Sequence, residues 1–128
     1  MKMIICGHGR YASGIKSALN LICGLNERIS VIDFVDSDDG TKLYEDLKRS
    51  VGDDQVLIVT DIVGGTPFKK SAMLAMDNEN IDVLAGANLA MILEMSFKIA
   101  HSPTFSELLE GVLEGASEQI VLLSKCYT

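Results

Sequence analysis

Four short apolar runs recur along the chain, each followed by a stretch whose apolar residues fall at helical spacing. Met3-Ile4-Ile5-Cys6 reads as a buried strand ending at Gly7. Ile15, Ala18, Leu19 and Ile22 then mark a helix that Gly24 is placed to end. Ile29 to Phe34 is a second strand. Thr41 to Val51 is an amphipathic helix with Leu43, Leu47 and Val51 inward and Lys42, Glu45, Asp46 and Lys48 outward.

Val56-Leu57-Ile58-Val59 is the clearest strand, and an uncharged run of this kind suits a parallel strand covered on both faces. Gly64-Gly65 makes a turn, and Thr66-Pro67 opens a helix through Met76, with Thr66 as N-cap and proline at the first helical position. Ile81 to Ala85 is the fourth strand. Asn88 caps a helix carrying Leu89, Ile92, Leu93 and Ile99, which stops near Ser102-Pro103. Thr104 and Glu107 have capping-box spacing at the start of the last helix. Ile120-Val121-Leu122-Leu123 fits either a prolongation of that helix or a short strand, and the pattern leaves both open.

Strand–helix alternation of this kind predicts an α/β fold with a mostly parallel sheet and helices on both faces. A chain of 128 residues has the usual size of one domain, so residues 1–128 are read as a single unit. At 48% hydrophobic and 23% charged residues, it can fill a core without disulfide or metal staples. The net charge of −7 argues against a nucleic-acid partner, which requires clustered Lys and Arg. Three cysteines without C-x-x-C spacing support neither a disulfide framework nor a metal cluster. The apolar start is too short for a signal peptide, and nothing approaches the roughly 20 apolar residues of a membrane span. A cytoplasmic protein is expected.

In a doubly wound sheet, chemistry gathers beyond the carboxyl ends of the strands, where strand order reverses. Two unusual segments lie there: Gly7-His8-Gly9 after the first strand, and Asp61 to Pro67 after the third. With strand order 2-1-3-4, His8 and Asp61 face each other. A histidine flanked by glycines can stand exposed, and neutral imidazole is a good nucleophile. A carboxylate at Asp61 accepting from Nδ1–H would fix the tautomer and leave Nε2 free. Gly9, Gly64 and Gly65 let an anion approach the backbone, the helix at Pro67 offers unpaired N–H groups, and the Thr66 hydroxyl is a further donor. Each feature has a plain alternative: an incidental loop histidine, a strand-ending aspartate, a turn with a helix cap.

A rival reading takes Gly7-His8-Gly9-Arg10-Tyr11-Ala12 as the permissive dinucleotide fingerprint, with Asp33 at the distance of a ribose contact. It leaves Asp61 to Pro67 unexplained. His101 sits near a helix end, where a cation complements the dipole. Met73, Met76, Met91 and Met95 read as core filling, and Cys6 as a small buried residue under the His8 loop.

Taken together, Gly7-His8-Gly9 and Asp61-Ile62-Val63-Gly64-Gly65-Thr66-Pro67-Phe68 resemble the mannose-family enzyme IIA domain of the bacterial phosphoenolpyruvate-dependent sugar phosphotransferase system. Ile32-Asp33-Phe34, Ala85 to Leu89 and Pro103 to Leu108 are similar to the family as well, so the resemblance spans the chain. It implies that His8 accepts a phosphoryl group on Nε2 from the carrier HPr and passes it to a IIB subunit, which serves membrane IIC and IID subunits. It also implies that Asp61 orients the histidine and that Thr66 contacts the phosphoryl group. No cofactor or metal is implied. Similar proteins form homodimers through a C-terminal strand, which would make Ile120 to Leu123 an added antiparallel strand. The chain ends without a fused IIB domain, so a separate IIB subunit is expected. Two positions depart from the family: Gly7, where some members have threonine, and Ala90, where many have proline. The alternatives are a phosphoryl-donor subunit of a dihydroxyacetone kinase and a non-catalytic nucleotide-binding module.

Overall fold

Alternating residues of the first and third apolar runs supply the two halves of the core, because successive side chains of a strand point to opposite faces. A computed structural model of the chain describes residues 1–35 and 39–126. The strands are β1 (Lys2–His8), β2 (Ile29–Phe34), β3 (Val56–Thr60) and β4 (Ile81–Leu84). They form one parallel sheet in the order β2-β1-β3-β4. The helices are α1 (Tyr11–Cys23), α2 (Thr41–Val51), α3 (Thr66–Met76), α4 (Leu89–Lys98), α5 (Phe105–Leu109) and α6 (Val112–Glu118).

On one face, Met3, Ile5, Leu57 and Val59 pack with Leu19, Met91, Ile92, Met95, Leu108 and Val112. On the other, Ile4, Cys6, Val56 and Ile58 meet Leu43, Leu47 and Val51 of α2. Burial on both faces is why β1 and β3 read as unbroken apolar runs. The crossover β1-α1-β2 runs one way along the sheet, and β2-α2-β3 and β3-α3-β4 run the other. The reversal falls between β1 and β3, with their carboxyl ends side by side.

Several local expectations change. Thr66 is the first residue of α3 and Gly65 its N-cap, so Thr66 makes no cap of its own. The predicted last helix is broken, because Gly111 takes φ 76°, a left-handed conformation that a continuous helix cannot hold. Its front half keeps the expected cap, with Thr104 Oγ1 accepting from the Glu107 N–H. Met91 and Met95 are core, whereas Met73 and Met76 are exposed, as is Ile22. Ile120 to Leu122 prolong neither helix nor sheet, a short 3-10 turn follows at Leu123–Lys125, and all four apolar side chains of 120–123 face solvent. Among the described residues, no helix is long and apolar enough to cross a membrane.

Candidate functional site

His8 is the last residue of β1, and the chain turns at once because the Gly9 N–H donates to the Phe34 carbonyl at 2.8 Å. Asp61 follows β3 directly. The adjacency of the two strands therefore brings both residues to the same edge, 53 positions apart in sequence.

The Asp61 carboxylate is held on three sides. Its Oδ2 accepts the His8 backbone N–H at 2.9 Å and lies 2.9 Å from His8 Nδ1, while Oδ1 accepts the Ile62 N–H at 3.0 Å. Burial alone raises this carboxyl, but the hydrogen bonds from the His8 backbone and ring, together with attraction to the ring, hold it below its ordinary value. An ionised carboxylate only accepts, so Nδ1 carries the proton and Nε2 presents its lone pair. The two side chains differ in access: 46% of His8 is exposed and 16% of Asp61. The imidazole is open to solvent while the carboxylate against it is sheltered.

The free edge of the imidazole lies over the N-terminus of α3. A Cβ on Gly65 would fall 2.6 Å from Cε1 of His8 and 3.3 Å from Nε2, so only glycine admits the ring at this distance. The first α-helical bond here runs from the Lys69 N–H to the Gly65 carbonyl. The N–H groups of Thr66 and Phe68 precede it, and Pro67 has none to leave orphaned. Thr66 is partly buried, with its methyl toward Gly40. Gly64 turns the chain into the helix with φ 80°. The Gly9 N–H is spent on Phe34, so Gly9 contributes open space, since a Cβ there would meet nothing within 4 Å. The Phe34 ring meets the His8 ring edge-on, with centroids 5.9 Å apart.

Asp33, the ribose candidate of the dinucleotide reading, is turned elsewhere. It accepts the Ser13 N–H at 3.0 Å and the Ser13 hydroxyl at 2.6 Å. A carboxylate thus already occupies the start of α1, where a pyrophosphate would have to sit. Cys6 is fully buried beneath the site, and burial, then Asp61, then Asp33 push its thiol up to about 12, which leaves it protonated and inert. His101 ends the turn after α4 and is exposed. Among the described residues, no cluster of His, Cys, Asp and Glu could hold a metal ion.

Sequence reasoning passed over Tyr11. Its hydroxyl donates to the Ala87 carbonyl at 2.6 Å, and its ring covers Gly7. An aromatic residue one helical turn after His8 was the available signal.

The parallel sheet and its switch-point pair define a class: an α/β domain that aims an imidazole held by a carboxylate at a helix N-terminus. The chain belongs to the family described as PTS system fructose IIA component, whose model matches residues 2–113. It is 29% identical to the sorbose-specific EIIA component of Lacticaseibacillus casei, over 100% of this chain and 94% of that one. It is 27% identical to the mannose-specific EIIAB component of Escherichia coli K12, over 94% of this chain, but spans only 39% of that longer protein. The crystal structure of a phosphotransferase system component EIIA from Streptococcus agalactiae superposes with TM-score 0.90 at 34% identity, covering 98% of both chains.

Proposed function

We propose that the chain is a phosphoryl carrier in which His8 Nε2 takes a phosphoryl group from the phosphohistidine of HPr and passes it to a IIB component during sugar uptake. The observation that carries this reading is the orientation of one ring: Nδ1 against Asp61, Nε2 over the N-terminus of α3. In the forward step the Nε2 lone pair forms the new N–P bond as the donor's N–P bond breaks. Positive charge developing on the His8 ring is stabilised by Asp61. The phosphoryl oxygens are received by the N–H groups at the start of α3 and by the Thr66 hydroxyl, with Gly9, Gly64 and Gly65 leaving the approach clear. No cofactor is needed, because the energy resides in the transferred group. We place the protein in the cytoplasm with HPr, and as a homodimer through its exposed C-terminal apolar segment.

The test is labelling from phosphoenolpyruvate through enzyme I and HPr, followed by chase onto candidate acceptors. His8→Ala should take no label and His101→Ala should label normally. A His8→Ala protein that still labels would overturn the assignment. Release of label to a IIB component supports the transporter reading, and release to a kinase-bound nucleotide would replace it with the dihydroxyacetone kinase role.

A further inference from the structure

Beyond the reacting pair, hydrogen bonds and two short stretches of backbone close a circuit that returns to it. Tyr11 lies on the first turn of α1, three residues after His8. Its hydroxyl donates to the carbonyl of Ala87, a buried residue of the loop between β4 and α4. The N–H of the same Ala87 donates to the Thr60 carbonyl at 3.2 Å, and the Thr60 hydroxyl to the Leu84 carbonyl at 3.3 Å. Thr60 is the residue before Asp61. The circuit therefore runs from His8 to Asp61, through Thr60 and Ala87 to Tyr11, and back along the chain to His8.

The Tyr11 ring also fills the room beside Gly7. A Cβ on Gly7 would fall 2.5 Å from Tyr11 Cδ1 and 3.1 Å from Asp61 Cγ. Ring and carboxylate thus press on the same small space, and a glycine beneath His8 is what admits both. This gives a physical reason for glycine at position 7.

We propose that Tyr11 is a positioning residue: by tying α1 to the β4–α4 loop, it sets the angle at which Asp61 meets His8, and so the tautomer of the ring. The proposal rests on His8 being the reacting group, but its primary readout does not. Tyr11 stays a donor at working pH, since burial and the Asp61 charge both raise its phenol above the usual value.

Tyr11→Phe keeps the ring and removes only the tie. Ring nitrogen NMR of the unphosphorylated, 15N-labelled protein reads the His8 tautomer directly, with circular dichroism as the folding control. Wild type should show a single Nδ1–H tautomer. Tyr11→Phe should show the Nε2–H form or exchange broadening, and transfer from phosphorylated HPr should slow about fivefold, the loss of one net hydrogen bond, with KM for HPr unchanged. A residue that merely fastened a helix would not move the tautomer. A folded Tyr11→Phe protein with a single Nδ1–H tautomer and wild-type transfer would overturn the proposal. A tautomer shift in a protein that accepts no phosphoryl group would uphold the positioning and remove the function assigned to the site.

Discussion

Gly65 and His8 approach so closely that a single added carbon would separate them: a Cβ at position 65 would stand 2.6 Å from the imidazole Cε1. Gly65 has φ −74° and ψ 170°, an ordinary extended conformation, so its glycine answers to the ring and not to backbone strain. Gly65→Ala should therefore fold, with the alanine methyl driving His8 away from the α3 N-terminus. Transfer to His8 should fall at least about tenfold, because a displaced reacting atom forfeits the near-attack geometry. Stability should change by less than about 1 kcal/mol, since Gly65 is partly exposed and the half-exposed ring has solvent to turn into. Phosphoryl-transfer kinetics beside a urea denaturation curve check both halves.

A second expectation follows from the packing beneath the histidine. Gly7→Ala inserts a methyl against the Tyr11 ring and should cost about 1–3 kcal/mol, as overpacking does. In a Tyr11→Ala background the same substitution should cost clearly less, because the first obstacle is gone. A four-protein double-mutant cycle by chemical denaturation measures the coupling. Equal costs in both backgrounds would show that the two positions do not compete for space.

The acid limb of stability should carry the signature of Asp61. Its folded carboxyl lies below the value of 3.8 that an ordinary aspartate has, despite burial, because the His8 backbone and ring donate to it. Unfolding frees it to bind a proton more readily, so its contribution is present above about pH 4 and lost as pH falls through the folded value. Denaturation midpoints should fall in that window for the wild type and fall less steeply for Asp61→Asn. Parallel pH profiles for the two proteins would contradict the linkage.

How much of this was legible in the sequence depends on the range of the interaction. The strands of Met3 to Cys6 and Val56 to Val59 were plain, because residues buried on both faces leave an uninterrupted apolar run. The order 2-1-3-4 rested on likeness to doubly wound sheets and not on any residue pattern, and it alone placed His8 beside Asp61; the sheet has that order. Periodicity could not see the bond from Tyr11 to Ala87, 76 residues away, nor that Asp33 turns to Ser13 and not to a ribose. Spacing fitted both fates of Asp33; direction decided. Met73 and Met76 read as core because single exposed apolar side chains leave no mark in a pattern.

The C-terminal apolar segment bears on assembly. Ile120, Val121, Leu122 and Leu123 are 76%, 66%, 65% and 71% exposed in the single chain, a contiguous run that a monomer rarely leaves to solvent. Sedimentation should give a dimer for the intact protein at micromolar concentration and a monomer for a chain ending at Gln119. An intact protein that sediments as a monomer would remove the segment's role in association.

Asp61→Asn tests the centre of the mechanism. Asparagine keeps the size of the side chain and can still accept from the His8 backbone N–H. It lacks the negative charge that stabilises a cationic ring, and its amide can offer a donor to Nδ1, which favours the tautomer with the proton on Nε2. In the proposed transfer, that tautomer has no lone pair where the phosphorus would arrive. Losing a charge-assisted hydrogen bond of about 1.5–3 kcal/mol corresponds to roughly 10- to 150-fold in rate, if the bond is fully expressed in the transition state. The fold should persist, because Asp61 lies beyond the end of β3 and outside both apolar clusters. Rapid-quench transfer from phosphorylated HPr, with circular dichroism beside it, separates the two roles. Slow transfer in a folded protein fits a residue that orients His8. A folded Asp61→Asn protein within about twofold of wild type would return Asp61 to the closing of a strand, since at neutral pH nothing but the charge and the tautomer distinguishes the two side chains.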